Sequence, residues 1–111
     1  MNLPNNQLPF SIEAERAVLG GIMLKNEAWD LVAGLIIESD FYNLEHQLIY
    51  KTIKELQDAG KPVDVITVQE VIETSGKLSQ LINVGGKSYV TQLARETPSV
   101  ANIDSYAEII K

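Results

Sequence analysis

The stretch SIEAERAVLGGIML, from Ser11 to Leu24, predicts the first helix of the chain and, with it, the class of fold. Its large apolar residues recur at helical spacing; they are Ile12, Val18, Leu19, Ile22 and Met23. Ser11 is a suitable N-cap. Two glycines, Gly20 and Gly21, stand inside this helix, where each costs about 1 kcal/mol against alanine. We interpret them as the place where another helix comes so close that a Cβ atom would clash.

Turn-forming and capping residues divide the rest of the chain into further short helices. We expect them at about Glu27–Ile36, Leu44–Ala59, Thr67–Thr74, Gly85–Arg95, and from Ser99 or Asn102 to the end. Asn43 and Gly60 are the cap and the stop of the third helix. Thr67 with Glu70 is read as a capping box, and Gly76 closes that helix. The β-branched residues 63–68 could form a strand instead, but a single unpaired strand is marginal.

Six short helices without a convincing sheet predict an all-α fold, a compact bundle of about six short helices. The length of 111 residues suits one domain. There is no cysteine, which excludes disulfides, thiolate zinc sites and cysteine nucleophiles. The net charge of −6 works against DNA as a direct ligand, because DNA binding relies on Lys and Arg to neutralise phosphates.

The first ten residues, MNLPNNQLPF, lack the basic region and apolar core of a secretory signal. No apolar run approaches the ~18 residues of a membrane span. We therefore expect a cytoplasmic protein without a membrane partner. Residues 1–10 are predicted to be a flexible segment and residues 11–111 to be the folded domain.

The stretch LINVGGKS, from Leu81 to Ser88, ends like the phosphate-binding loop G-x-x-x-x-G-K-[ST]. The first glycine of that loop would stand at position 81, which is Leu81. The loop also joins a buried strand to a helix in an α/β sheet, and no such sheet is predicted. We interpret Gly85-Gly86-Lys87-Ser88 as a glycine-rich turn that leads into a helix.

Other candidate chemistry is sparse. His46 is the only histidine, for which a surface or capping role is expected. The carboxylates of Glu13 and Glu15 are explained by the favourable electrostatics of a helix first turn. The aromatic residues Phe41, Tyr42 and Tyr50 are read as core or partner contacts. No catalytic residue, cofactor-binding residue or metal ligand is predicted.

A helix-turn-helix over residues 60–74 is the alternative that would bind DNA. Its second helix carries Gln69, Glu70 and Glu73 and no Lys or Arg. Carboxylates that faced the phosphates would be repelled, so this alternative is disfavoured.

Five segments taken together resemble one family. They are SIEAERAVLGGIML, DFYNLEHQLIY, GKPVDVITV, VGGKSYVTQLA and TPSVANIDSYAEII. In order and spacing they resemble the N-terminal domain of bacterial DnaB-type replicative DNA helicases, from about Leu8 to Lys111. The runner-up is a generic acidic all-α protein-interaction module unrelated to replication.

The resemblance implies a six-helix domain that continues, in the family, into a helical hairpin and then a RecA-like ATPase domain. Neither is contained in these 111 residues, so ATP and Mg²⁺ would be bound elsewhere and this fragment would not be an enzyme. The parent protein would be an ATP-dependent DNA helicase. Its N-terminal domains form a collar in a hexamer, arranged as a trimer of dimers, that recruits primase. A helicase loader is a further candidate partner, and DNA is contacted only through the full ring.

The resemblance also implies two candidate partner contacts, Glu13 and Tyr89, at family positions that can lie against primase. Two simpler readings stay open beside it. Tyr89 could equally be a core residue of the fifth helix, and Glu13 could be an ordinary first-turn charge. The segment from Leu78 to Val84 is about two residues longer than usual for the family, which affects the placement of Tyr89.

Overall fold

The computed structural model describes residues 9–111, with side chains from residue 12 onward. It contains six α-helices: α1 (Pro9–Leu24), α2 (Trp29–Val32), α3 (Leu44–Asp58), α4 (Val65–Thr74), α5 (Ser88–Arg95) and α6 (Ile103–Ile110). Short 3-10 turns occupy Asn26–Ala28, Glu38–Asp40, Leu78–Val84 and Val100–Asn102. No β-strand occurs in the described range, so the predicted all-α fold is confirmed. None of the described helices is long and apolar enough to cross a membrane.

Helix α1 lies at the centre of the bundle and packs against α5 and α6, with α3 also in contact. Its inward side is fully buried through Val18, Leu19 and Ile22. The same core receives Ile49 and Ile53 from α3. Since α3, α5 and α6 all pack against α1, the position of α1 constrains theirs.

The two glycines of α1 are confirmed as points of close approach. A Cβ atom on Gly20 would collide with the Thr97 hydroxyl and with the backbone carbonyl of Leu93 in α5. A Cβ atom on Gly21 would lie 2.8 Å from Cδ1 of Ile103, the first residue of α6. Glycine lowers the helix propensity at these two positions. In return, α5 and α6 can lie directly against the backbone of α1.

The predicted ends of α3 and α4 are confirmed by their capping bonds. The side chain of Asn43 accepts a hydrogen bond from the backbone N–H of His46 (3.1 Å) at the start of α3. Gly60 and Gly76 follow α3 and α4 with φ of 70° and 75°. In both cases the next lysine, Lys61 or Lys77, donates its N–H back into the helix, which is the Schellman arrangement.

Two predicted helix starts are wrong. Helix α1 begins at Pro9, so Ser11 lies inside the helix; proline suits the first position because its missing N–H is not needed there. The rest of the segment predicted to be flexible, residues 1–8, lies outside the described residues. Helix α4 begins at Val65, not at Thr67. Its N-cap is Asp64, whose carboxylate accepts from the Thr67 N–H (2.9 Å), so Thr67 occupies the third helical position and the predicted Thr67–Glu70 box is not formed.

Two other predicted helices are shorter in the structure. The one expected over Glu27–Ile36 is divided into a 3-10 turn and the single-turn helix α2. Helix α5 begins at Ser88, because Gly85 and Gly86 have φ of 114° and 74°, which no α-helix accommodates.

An aromatic cluster joins α2 and α3. The Tyr50 ring lies 5.4 Å from Trp29 and 5.0 Å from Phe41 between centroids, and its hydroxyl donates to the carbonyl of Ile36 (3.1 Å). Phe41 and Tyr50 are core residues, whereas Tyr42 is half exposed. Burial raises the pKa of Tyr50 to about 12, and the charge of nearby Glu38 adds to the effect.

Gly20→Ala is expected to lower the free energy of unfolding by about 2–3 kcal/mol, because the added methyl group must displace the backbone of α5. In thermal unfolding, this corresponds to a melting temperature lower by at least about 8 °C. Gly34→Ala is the matched control, since a Cβ there meets nothing within 4 Å. Equal losses in both variants would contradict the close-approach interpretation.

Tyr50 is expected to make the fold sensitive to alkaline pH. Its folded-state pKa of about 12 lies above the ordinary 10.0, so its neutral hydroxyl stabilises the fold below pH ~10, and this stabilisation is lost as the pH rises toward ~12. Urea unfolding at a series of pH values should show a loss from this group of about 1.4 kcal/mol per pH unit across that window. Tyr50→Phe should flatten this dependence, while Tyr42→Phe should leave it unchanged.

Candidate surface groove and the buried network beneath it

A surface groove runs between α1 and α6. It consists of two adjoining depressions of about 270 and 260 Å³ that share Glu13, Ala17 and Pro98. The first is also lined by Arg16 and Glu96, and the second by Ala14, Tyr106 and Ile109. We call this surface the α1–α6 groove. One half is charged and the other is apolar, with Ile109 49% exposed.

The charged half is ordered by an ion pair between the Arg16 guanidinium and the Glu96 carboxylate, which joins α1 to the end of α5. The same guanidinium lies over the ring of Tyr89, 5.9 Å from its centroid. Tyr89 itself is only 7% exposed and does not line the groove. Arg16, which lines the groove, thus packs on the buried aromatic ring of Tyr89.

The ring of Tyr89 is one end of a buried, hydrogen-bonded chain of three polar side chains, one from each of three helices. Glu15 of α1 is 1% exposed and His46 of α3 is fully buried. The imidazole Nδ1 lies 2.7 Å from Oε1 of Glu15, and Nε2 lies 2.6 Å from the hydroxyl of Tyr89 in α5. We call these three residues the buried network.

The hydrogen-bond partners of the buried network show which group the Nδ1 atom of His46 serves as a donor. The Glu15 carboxylate already accepts from the backbone N–H groups of Tyr42 (2.7 Å) and Asn43 (3.4 Å), so the Nδ1–H of His46 must donate to it. Nε2 is hydrogen-bonded to the hydroxyl of Tyr89. Burial raises the pKa of Tyr89 above its ordinary value of 10.0, against the opposing effect of Arg16, so the hydroxyl keeps its proton at neutral pH.

This arrangement satisfies the buried polar groups and does not present them to a substrate. No buried side-chain nitrogen or oxygen of the described residues lacks a hydrogen-bond partner. None of the three network residues lines the α1–α6 groove. Within the described range, no three His, Cys, Asp or Glu side chains are grouped so that they could hold a metal ion. The chemistry of the network is therefore that of packing and positioning.

The structure places the two candidate contact residues at different depths. Glu13 is exposed and belongs to both depressions of the groove. Tyr89 lies underneath the groove and is buried, as in the alternative interpretation of it as a core residue of the fifth helix. The groove brings Glu13 together with Arg16 and Glu96, neither of which was singled out in the sequence.

The sequence-based readings of Glu15 and His46 are wrong. Glu13 and Glu15 were both explained by a first-turn charge, but α1 begins at Pro9, so both lie beyond the first turn, and the Glu15 carboxylate is buried. His46 was expected at the surface or as a cap and is instead fully buried. A signal was present, because Glu15 precedes Val18, Leu19 and Ile22 by three, four and seven residues, the spacing of one helix face. His46 has the same relation to Ile49, Tyr50 and Ile53.

The glycine-rich turn at Gly85–Gly86 is confirmed as a turn that leads into a helix. Leu81, at the position of the first phosphate-loop glycine, is fully buried in the core. Lys87 Nζ lies 3.0 Å from Oε1 of Glu73, and the Ser88 hydroxyl donates to the Gly85 carbonyl (3.0 Å). Both side chains that would contact a phosphate and its magnesium ion are thus engaged within the fold.

The helix-turn-helix alternative is also disfavoured by the structure. In α4, the Gln69 amide donates to the Lys87 carbonyl and to the Thr91 hydroxyl, each at 3.0 Å. Glu73 of the same helix holds Lys87. These side chains tie α4 to α5, so they do not form a free DNA-reading face.

The fold and the groove define a small all-α domain whose buried polar groups serve its own packing. The sequence-family model of the DnaB-like helicase N-terminal domain matches residues 7–111. The chain therefore belongs to the DnaB-like helicase N-terminal domain family, as the sequence resemblance indicated.

The similar proteins agree with this membership. The replicative DNA helicase DnaB of Buchnera aphidicola subsp. Baizongia pistaciae is 45% identical over 105 residues, which is 95% of this chain and 22% of that protein. The replicative DNA helicase DnaC of Bacillus subtilis is 42% identical over 111 residues, 99% of this chain and 24% of that protein. The chain thus spans less than a quarter of the length of these curated relatives.

A solved structure shows the same fold. The crystal structure of the N-terminal domain of DnaB helicase from Mycobacterium tuberculosis superposes with a TM-score of 0.82 at 34% sequence identity. The match covers 89% of this chain and 70% of that one.

Glu15→Ala is expected to lower the free energy of unfolding by about 3–5 kcal/mol, because it leaves the buried His46 Nδ1–H and two partly buried backbone N–H groups without their acceptor. Glu13→Ala, two residues away and exposed, should change it by less than about 0.5 kcal/mol. Urea unfolding of both variants measures the difference. Similar values for the two would mean that the Glu15 carboxylate does not hold the three helices together.

Proposed function

We propose that this chain is the N-terminal part of a ring-forming replicative DNA helicase and that it acts as a non-catalytic docking and assembly domain. The observation that carries the proposal is the family match over residues 7–111, with relatives named replicative DNA helicases. ATP and Mg²⁺ would be bound by a RecA-like domain outside these residues. The parent protein would unwind duplex DNA with the energy of ATP hydrolysis, in the cytoplasm at the replisome.

Primase is the partner that we propose for the α1–α6 groove. The groove offers an exposed carboxylate at Glu13 next to an apolar floor that ends in the half-exposed Ile109. A charged rim beside an apolar centre is the usual composition of a protein–protein interface. The helices that form it are held to one another through the glycines of α1 and the buried network, so little ordering would be needed on binding.

The same domain would take part in ring assembly. In the proposed hexamer, a trimer of dimers, the N-terminal domains form a collar and the helical hairpin that follows them supplies most of the contacts. The 111-residue chain alone should then be a monomer or a weak dimer. A helicase loader is a further candidate partner, and DNA would be contacted only through the complete ring.

Calorimetric titration with the C-terminal helicase-binding domain of the primase from the same organism tests the proposal. The chain is expected to bind, and Glu13→Ala is expected to weaken binding by about three- to tenfold, as for a moderately important interface residue. Glu55→Ala is the matched control, because Glu55 is an exposed glutamate on α3 that does not line the groove. It should leave the affinity unchanged.

Two results would count against the proposal in different ways. If Glu13→Ala and Glu55→Ala bind equally well, primase docks on another face of the domain. If the chain does not bind, the titration is repeated with the longer natural protein that includes the residues after Lys111. Binding by the longer protein would assign the affinity to those residues, whereas no binding by either would refute the docking role.

A further inference from the structure

One arrangement in the groove is not explained by packing alone. The Arg16 guanidinium is held from two directions, by the Glu96 carboxylate at the surface and by the face of the Tyr89 ring below it. An arginine side chain at a surface normally samples many rotamers, and fixing it costs conformational entropy. Here the ion pair and the cation–π contact keep the guanidinium on the wall of the groove.

The Tyr89 ring is itself fixed by the buried network. Its hydroxyl is hydrogen-bonded to Nε2 of His46 at 2.6 Å, and the opposite nitrogen of the imidazole is bonded to Glu15 at 2.7 Å. The two rings are stacked at 5.8 Å with an interplanar angle of 11°. A tilt of the ring away from this position would therefore break a hydrogen bond between buried groups, which is costly.

We propose that Tyr89 is a positioning residue that holds the Arg16 guanidinium on the groove wall, and that Arg16, not Tyr89, contacts the docked protein. The inference rests on the proposed docking function. Arg16 is a new candidate binding residue, and the influence of Tyr89 on docking passes through it.

The chemistry of Arg16 indicates what it would recognise. A guanidinium has five N–H donors in a planar fork, and one carboxylate does not use them all. The remaining donors on the groove side suit a carboxylate or a backbone carbonyl oxygen of the docked primase domain. Direct contact by Tyr89 is disfavoured, because its side chain is 7% exposed and lines neither depression.

A double-mutant cycle on the chain tests the proposal, with affinity for the primase C-terminal domain measured by calorimetry. Tyr89→Leu removes the ring below the guanidinium and should weaken binding by about two- to fivefold, the range of one partly exposed cation–π contact. Arg16→Ala should weaken it at least as much. In the Arg16→Ala background, Tyr89→Leu should have no further effect, because the group it positions is gone.

A second variant distinguishes an effect on the position of Arg16 from a loss of the fold. Tyr89→Phe keeps the ring and removes only the hydroxyl bond to His46, so it should give a smaller loss that also disappears when Arg16 is absent. An amide NMR spectrum of each variant, recorded at the titration temperature, establishes that the measured protein is folded. A general loss of structure would reduce binding in both backgrounds alike, which positioning of Arg16 alone cannot do.

The outcomes separate the inference from the function it rests on. Equal losses from Tyr89→Leu with and without Arg16 would overturn the positioning role. So would an unchanged affinity of Arg16→Ala while Glu13→Ala binds more weakly, and in that case primase docking would stand. Absence of binding by the unaltered chain and by the longer natural protein would refute the docking function, and the proposed role of Arg16 with it.

Discussion

The buried carboxylate of Glu15 is the interaction on which most of this structure depends. A carboxylate out of contact with water is strongly unfavourable unless several donors surround it. Glu15 gathers three, the imidazole of His46 and the backbone N–H groups of Tyr42 and Asn43. These donors belong to the segment that enters α3 and to its first turn. One side chain of α1 thereby holds the start of α3 against α1 and brings its histidine to the place where it meets α5.

Helix α1 is thus fixed at two places by opposite means. In its middle, the buried carboxylate of Glu15 must find hydrogen-bond donors, and the requirement is directional. Near its end, Gly20 and Gly21 remove side chains so that α5 and α6 can lie against the bare backbone, and the requirement is one of shape. Together they define both the rotation of α1 about its axis and its distance from its neighbours. The α1–α6 groove takes its form from this placement.

The sequence was sufficient for features that depend on a few adjacent residues. Asn43, Gly60 and Gly76 mark helix ends because their own backbone and side-chain preferences do so, and the fold class follows from the helical spacing of apolar residues. The start of α4 was missed because Asp64 competes with Thr67 for the same role. The buried network could not be predicted as a unit. Helical spacing places Glu15 and His46 on inward faces, but they are 31 positions apart in the sequence, and Tyr89 is a further 43 positions along. Which inward polar groups meet is decided by how whole helices pack.

The aromatic cluster has a practical consequence for studying the molecule. Trp29 is the single tryptophan of the chain, and its ring lies 5.4 Å from that of Tyr50. All indole emission therefore comes from one place, where Trp29 of α2 lies against Tyr50 of α3. The chain thus carries its own optical reporter, and a change in that emission can be assigned to the environment of one known side chain without an added dye.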